Sequence, residues 1–179
     1  MEFYIAQIIS VLTAIVAILS MQMKSMKGVL ITQISANLLA ASTYFLLGGF
    51  SGAGISIIAI IQLIVMFLYN KKQKEPHIGV IILFILAYTI YSIVNLKEFI
   101  DIFPMLAAII FSISVAQKNP SAYRWFGLIH PLCWLVYDTY MMAYINMLMR
   151  IGIFISAVVA KIRLDGLFNL KKKENDKEA

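Results

Sequence analysis

Apolar residues run along this chain in blocks of about 20, the length a helix needs to cross a bilayer, and polar residues collect in the short gaps between them. The blocks predict seven transmembrane helices, at 4–23, 28–48, 51–70, 78–95, 100–117, 122–144 and 146–164. The second and third are joined by Leu47-Gly48-Gly49-Phe50-Ser51-Gly52, whose glycines accept positive φ and permit a tight helical hairpin. The most polar internal stretch is Lys71-Lys72-Gln73-Lys74-Glu75-Pro76-His77, with its proline where a new helix would begin. Past Asp165, the segment Lys171-Lys172-Lys173-Glu174-Asn175-Asp176-Lys177-Glu178 has no apolar face to bury and reads as a solvated tail.

Sliding the chain against itself by 94 positions superposes Ile8 on Ile102, Leu12 on Leu106, Ala14 on Ala108, Ile15 on Ile109, Ser20 on Ser114 and Lys24 on Lys118. The same shift brings Leu38 onto Leu132, Ile57 onto Ile151, Ile61 onto Ile155 and Val65 onto Val159, and it aligns loops with loops. Helices one to three therefore match helices five to seven. Four helices separate each pair, so the two copies keep one orientation across the membrane and helix four is an unmatched linker. The expected organisation is a first triple-helix bundle at 4–70, a cytoplasmic linker at 71–77, a linker helix at 78–95, a second bundle at 100–164 and a disordered cytoplasmic tail at 165–179.

Composition turns these apolar blocks into membrane spans. Of 179 residues, 61% are hydrophobic and only 13% charged, and the mean hydropathy is +0.87. A soluble domain of this size could not bury so much apolar side chain. The start Met1-Glu2-Phe3 lacks a basic region and a cleavage pattern follows nowhere behind it, so the first helix is expected to be retained.

The net charge of +6 follows the loops rather than a nucleic-acid face. Lys24, Lys27, Lys71, Lys72, Lys74, Lys118, Arg124, Lys161, Arg163, Lys171, Lys172, Lys173 and Lys177 all fall on one side, and only Lys97 and Arg150 on the other. By the positive-inside rule the N-terminus is outside and the C-terminus cytoplasmic. The expected partners are then the lipid bilayer, anionic lipid beside the basic loops, and a small polar solute, with no nucleic acid.

Metal and covalent chemistry find little to work with. Cys133 is the sole cysteine and His77 and His130 the sole histidines, so no disulfide, thiolate cluster or metal site assembles, and no cofactor is implied. No nucleophile, base and orienting group stand at a recognisable spacing, so the chain is not expected to be an enzyme. No Gly-x-x-x-Gly face specifies an oligomer.

Candidate binding chemistry concentrates in the sixth span. His130, Trp134, Tyr137 and Asp138 fall at i, i+4, i+7 and i+8, which puts an imidazole, an indole, a phenol and a carboxylate on one helix face. Pro131 frees a backbone carbonyl in the same segment. Ionisable groups at membrane depth face a bundle interior or a watery cavity.

Helix two offers Gln33, Asn37 and Tyr44 on one face, helix three offers Gln62, and helix seven offers Ser156 at the position matching Gln62. The candidate substrate-binding set is Asn37, Gln62, His130, Trp134, Tyr137, Asp138 and Ser156. Amides and hydroxyls in a membrane serve equally as interhelical hydrogen-bond partners, and His130 serves equally as a neutral core residue. Asp138 and Arg150 stand at similar depth in adjacent helices and form a candidate gating ion pair. The ten methionines do not cluster with histidine or cysteine and suit apolar packing.

Three helices, one helix and three helices, in parallel repeats with the N-terminus out, resemble the SWEET and PQ-loop superfamily of small-solute transporters over about residues 4–164. The Pro-Gln dipeptide is absent and Pro104 matches Ser10, so no sugar site carries over. The wording of the second repeat, Arg124, then Trp134-Leu135-Val136-Tyr137, then Ser156 and Lys161-Ile162-Arg163-Leu164-Asp165, is similar to the YgjV-like bacterial inner membrane proteins. The resemblance implies an inner-membrane protein of all-α, SWEET-like build, without a defined activity. Two functions follow. One is a transporter of a small polar metabolite that alternates access between the two bundles, and the other a non-transporting scaffold or regulator that binds other membrane proteins.

Overall fold

The computed structural model describes residues 2–46, 50–96, 98–140 and 144–166, with the side chains of residues 2, 3, 50, 51, 138 and 144–146 left out. Among the described residues the chain is all-helical. Its elements are α1 (Glu2–Met21), α2 (Met26–Leu46), α3 (Phe50–Lys71), α4 (Ile78–Val94), a 3₁₀ turn (Phe99–Asp101), α5 (Ile102–Val115), α6 (Pro120–Tyr140) and α7 (Tyr144–Asp165). Each covers one apolar block. Tyr4–Met21, Met26–Leu46 and Gly52–Lys71 are long and apolar enough to cross a membrane, and Ile78–Val94 and Phe99–Val115 are shorter apolar helices.

Local chemistry sets the ends. The Ser25 hydroxyl accepts from the Gly28 amide at 3.2 Å and the Asn119 side chain accepts from the Ser121 amide at 2.8 Å, so both residues act as N-caps of the helices that follow them. Pro120 sits at the first helical position of α6, where its missing N–H is not needed. The fifth span begins later than its apolar run. Glu98 and Asp101 form a reciprocal capping box around the 3₁₀ turn, and this holds the first residues out of the α-helix. Gly166, at φ 66° beyond α7, supplies the left-handed conformation that ends a helix.

Displacing α2 by 94 positions reproduces the bounds of α6 at both ends, and displacing α3 reproduces those of α7. The last residue of α1, Met21, lands on the last of α5, Val115, and the N-cap Ser25 lands on the N-cap Asn119. Each helix packs on its sequence neighbours, and α1 meets α7 while α3 meets α5, which closes the helices into a ring. α4 lies against α5 and α3.

Apolar side chains cover the outside of the bundle as well as filling its core. Ile8, Leu12, Ile15 and Leu19 of α1 and Ile57, Ile61, Ile64 and Leu68 of α3 face outward, while Ser20, Gln33, Gln62, Ser112, Ser114, Arg124 and Lys161 are buried. An apolar exterior, with polar groups turned into a core that Met21, Leu30, Leu63 and Val115 otherwise fill, is what a lipid solvent demands.

The turn at Gly48 and Gly49, the basic Lys97 and the tail from residue 167 onward lie outside the described residues.

Candidate functional site

A cavity of about 150 Å³ opens inside the ring, lined by side chains of all seven α-helices. Small residues make up much of its wall. Ala17, Ala36, Ala40, Gly52, Ala59, Ala108 and Gly127 all line it. On α2 the lining positions Gln33, Ala36, Asn37, Ala40 and Tyr44 follow the three-and-four spacing of a single helix face.

At one end of the cavity the polar groups satisfy one another. Gln33 Nε2 donates to the Tyr123 hydroxyl at 2.7 Å and to Ser20 Oγ at 2.8 Å, and the Ser20 and Tyr123 hydroxyls are 3.3 Å apart. Asn37 Nδ2 donates to the Gln33 carbonyl at 2.9 Å. This network ties α1, α2 and α6 together beneath the open space.

Toward the other end stand His130, Trp134 and Arg150. The Arg150 guanidinium lies over the Trp134 ring, 4.7 Å from its centroid, a cation–π contact in which the negative face of the ring attracts the cation. Trp134 meets Tyr137 edge to face at 6.0 Å, and His130 meets Phe111 at 5.8 Å between centroids. Pro131 is buried in α6 one residue beyond His130.

Under the 94-residue shift, cavity positions pair with cavity positions. Ala17 pairs with Phe111, Gln33 with Gly127, Ala36 with His130, Ala40 with Trp134, Ser56 with Arg150 and Ala59 with Ile153, and all twelve line the space. The first member of each pair is alanine, serine or glutamine. Within these pairs the ionisable and aromatic side chains, Phe111, His130, Trp134 and Arg150, stand in the second half, while outside them α2 contributes Tyr44 and α4 contributes Tyr88.

Of the candidate residues, Asn37, His130, Trp134 and Arg150 line the cavity. Tyr137 stands behind Trp134. The side chain of Asp138, and with it the Asp138–Arg150 pair, lies outside the described residues. Gln62 and Ser156 do not line the cavity. Gln62 is fully buried, and its Nε2 donates to Ser112 Oγ at 2.7 Å and to the Ser112 carbonyl at 3.2 Å. Ser156 Oγ donates to the Ile18 carbonyl at 3.0 Å and accepts from Gln22 Nε2 at 2.8 Å. Both residues sit in seams between helices, where an amide or hydroxyl joins neighbours.

Sequence reasoning passed over Thr13, Ser56, Tyr88 and Tyr123, which also line the cavity. Tyr88 reaches it from the linker helix, and its hydroxyl is buried without a protein partner. It also passed over a cluster below the cavity. Arg124, 3% exposed, donates to the Met21 carbonyl at 3.0 Å and the Met23 carbonyl at 2.7 Å and pairs with Asp165. Lys161 pairs with Asp165 at 3.0 Å, donates to Ser121 Oγ at 2.7 Å and lies over the Trp125 ring at 4.7 Å. Counted from sequence among the basic residues of the cytoplasmic side, Arg124 and Lys161 are buried in the structure, where Asp165 and the carbonyls at the end of α1 replace their water.

Among the described residues no group of three or more His, Cys, Asp or Glu side chains could hold a metal ion. No curated protein and no solved structure matches the chain. A family model does, over residues 4–167, and its description is Imp-YgjV, bacterial inner membrane protein. With helices of this length, an apolar exterior and that match, the chain belongs to the YgjV family of bacterial inner membrane proteins.

Proposed function

We propose that the chain is a transporter or facilitator of a small polar metabolite, moving its solute by alternating access between a first bundle of α1–α3 and a second of α5–α7. The observation that carries this reading is the cavity: every α-helix contributes to it, and lining positions recur at the 94-residue offset. Solute sites of secondary transporters lie at the interface of structural repeats, and rocking one repeat against the other exposes them in turn. In this reading α4 is the linker that restores a common orientation, as in the SWEET-like arrangement, with the N-terminus outside and no enzymatic step. A packed scaffold would be expected to fill the same interface with side chains.

Reconstitution into liposomes with an unbiased uptake screen of labelled metabolites tests the reading. Saturable uptake of a small polar solute supports it, and a protein that only binds other membrane proteins overturns it in favour of a scaffold. The orientation is tested separately by single cysteines in a Cys133→Ala background. A cysteine at position 73 is expected to react only from the cytoplasmic side and one at position 49 only from outside; the reverse overturns the topology.

A further inference from the structure

We infer that Tyr88, on the linker helix α4, binds the solute of this cavity through its hydroxyl, and that the solute is a small uncharged amide. The inference rests on the reading of the cavity as a solute site. Its first ground is the contrast between two tyrosines. Tyr123 and Tyr88 both line the cavity and are almost fully buried, at 2% and 1% exposed. The Tyr123 hydroxyl is held by Gln33 and Ser20, as a buried phenol normally is. The Tyr88 hydroxyl is lodged in the wall with no protein partner. Buried polar groups are nearly always hydrogen-bonded, and a solute in the cavity supplies the missing partner.

The second ground is what the rest of the wall has left to offer. Thr13 Oγ1 donates to the Ile9 carbonyl at 2.8 Å, and Ser56 Oγ to the Gly52 carbonyl at 3.0 Å. A hydroxyl has one proton, so toward a solute these two act as acceptors. Gln33 Nε2 has spent both of its protons, on Tyr123 and Ser20. Lone pairs on α1 and α3 thus stand with an uncommitted O–H on α4. A solute that answers both carries N–H donors on one atom and an accepting oxygen on another, which is the layout of a primary amide and not of a carboxylate or an ammonium.

Charge and size narrow the class in the same direction. A charged solute leaves water readily only where the wall supplies an opposite charge. Among the described lining side chains no aspartate or glutamate stands ready for a cation, and the Arg150 guanidinium is already engaged over Trp134. A cavity near 150 Å³ is comparable to one that admits benzene, so the amide is of about that size and not a peptide.

The test uses the full-length protein in nanodiscs, with propionamide and benzamide compared against N,N-dimethylpropionamide, propionate and propylammonium at equal ionic strength. Two readouts run together. One is the thermal midpoint, which rises with the logarithm of ligand concentration when a ligand binds the folded state. The other is Trp134 fluorescence in a Trp125→Phe background.

The primary amides are expected to raise the midpoint and change the fluorescence at about 10 mM, tenfold above a millimolar dissociation constant. The dimethylated amide, which keeps the oxygen but has no N–H, and the two ions are not. Tyr88→Phe should weaken binding of the primary amides roughly three- to tenfold, the worth of one hydrogen bond. Its midpoint without ligand should stay at or above that of the parent, because the variant keeps the ring and removes an unpaired buried hydroxyl. Unchanged amide binding in Tyr88→Phe overturns the role of Tyr88. The comparison of the three amides in the parent protein stands even if Tyr88→Phe fails to fold. Equal or stronger binding of the dimethylated amide, propionate or propylammonium overturns the amide assignment and leaves the cavity as a solute site. No response to either primary amide also overturns it. Binding of the primary amides without uptake in liposomes leaves the assignment standing and removes transport.

Discussion

Besides the Gln33–Tyr123 network, two packed seams, α3–α5 and α1–α7, join the first three helices to the last three, and unlike chemistry holds them. In the α3–α5 seam, Gln62 on α3 donates to the Ser112 hydroxyl and carbonyl on α5. In the α1–α7 seam, Ser156 on α7 donates to the Ile18 carbonyl on α1. The 94-residue shift carries Gln62 to Ser156 and Ile18 to Ser112, so one position reaches one carbonyl in both seams.

Beyond this shared contact the seams diverge. Beside α1 and α7 lie Arg124, Lys161 and Asp165, and Arg163 donates to Gln22 Oε1 at 2.9 Å. The matching positions beside α3 and α5 are Leu30, Phe67 and Lys71. A seam of neutral hydrogen bonds and apolar contacts can part without stranding a charge. One closed by a buried ion cluster and the carbonyls of a helix end must rehydrate each group as it opens. The fold positions are the same and the resistance to opening is not.

The largest effect is expected from the charged seam. Arg124→Gln should lower stability by roughly 3–5 kcal/mol, because it leaves the partly buried Asp165 carboxylate beside a single cation and takes donors from the Met21 and Met23 carbonyls. Asp165→Asn should fall in the same range by stranding Arg124 and Lys161. Chemical or thermal unfolding in nanodiscs measures both, and a double-mutant cycle should find the two losses far from additive. If both variants unfold like the parent, the ion cluster does not hold the seam.

The neutral seam should yield a smaller loss. Interhelical hydrogen bonds in membranes average about 0.6 kcal/mol and reach about 1.7. Gln62 Oε1 is buried with no partner, so Gln62→Leu also removes an unsatisfied acceptor, which offsets part of the loss. A change of about 1 kcal/mol or less is expected from the same unfolding measurement. A loss as large as that of Arg124→Gln would erase the distinction between the seams.

The sequence made the helices legible for a simple reason: apolar blocks alternate with polar turns, and each block became a helix. Asn37, His130 and Trp134 were legible as cavity residues because polar or amphipathic groups recur there on one face of an otherwise apolar helix. Gln62 and Ser156 look equally exposed to a cavity in sequence, but which face of α3 or α7 meets a neighbour depends on ring closure, which periodicity does not encode. Arg124 and Lys161 sit where membrane-edge charges normally signal orientation, and a charge counts the same there whether water or Asp165 satisfies it. Tyr88 carries no signal at all, since tyrosines are common at the ends and faces of spans.

The smallest effect on stability is expected where the cavity meets the charged seam, at Gly127. A Cβ built there would stand 2.9 Å from Met21 Sδ and 3.0 Å from Met21 Cε, closer than carbon normally tolerates. Those atoms are the far end of a flexible side chain, and the Met21 carbonyl that Arg124 holds is not among them. Gly127→Ala gains up to about 1 kcal/mol of helix propensity in α6. It should lose a similar amount by crowding Met21, since overpacking typically costs roughly 1–3 kcal/mol when nothing can move and less when a methionine end can. The net change in unfolding free energy should stay within about 1 kcal/mol, while solute binding weakens because the methyl and the displaced Met21 both enter the cavity. Parallel unfolding and binding measurements on Gly127→Ala therefore separate the cavity from the seam. A loss comparable to that of Arg124→Gln would mean that Met21 cannot yield and that seam and cavity are one rigid unit.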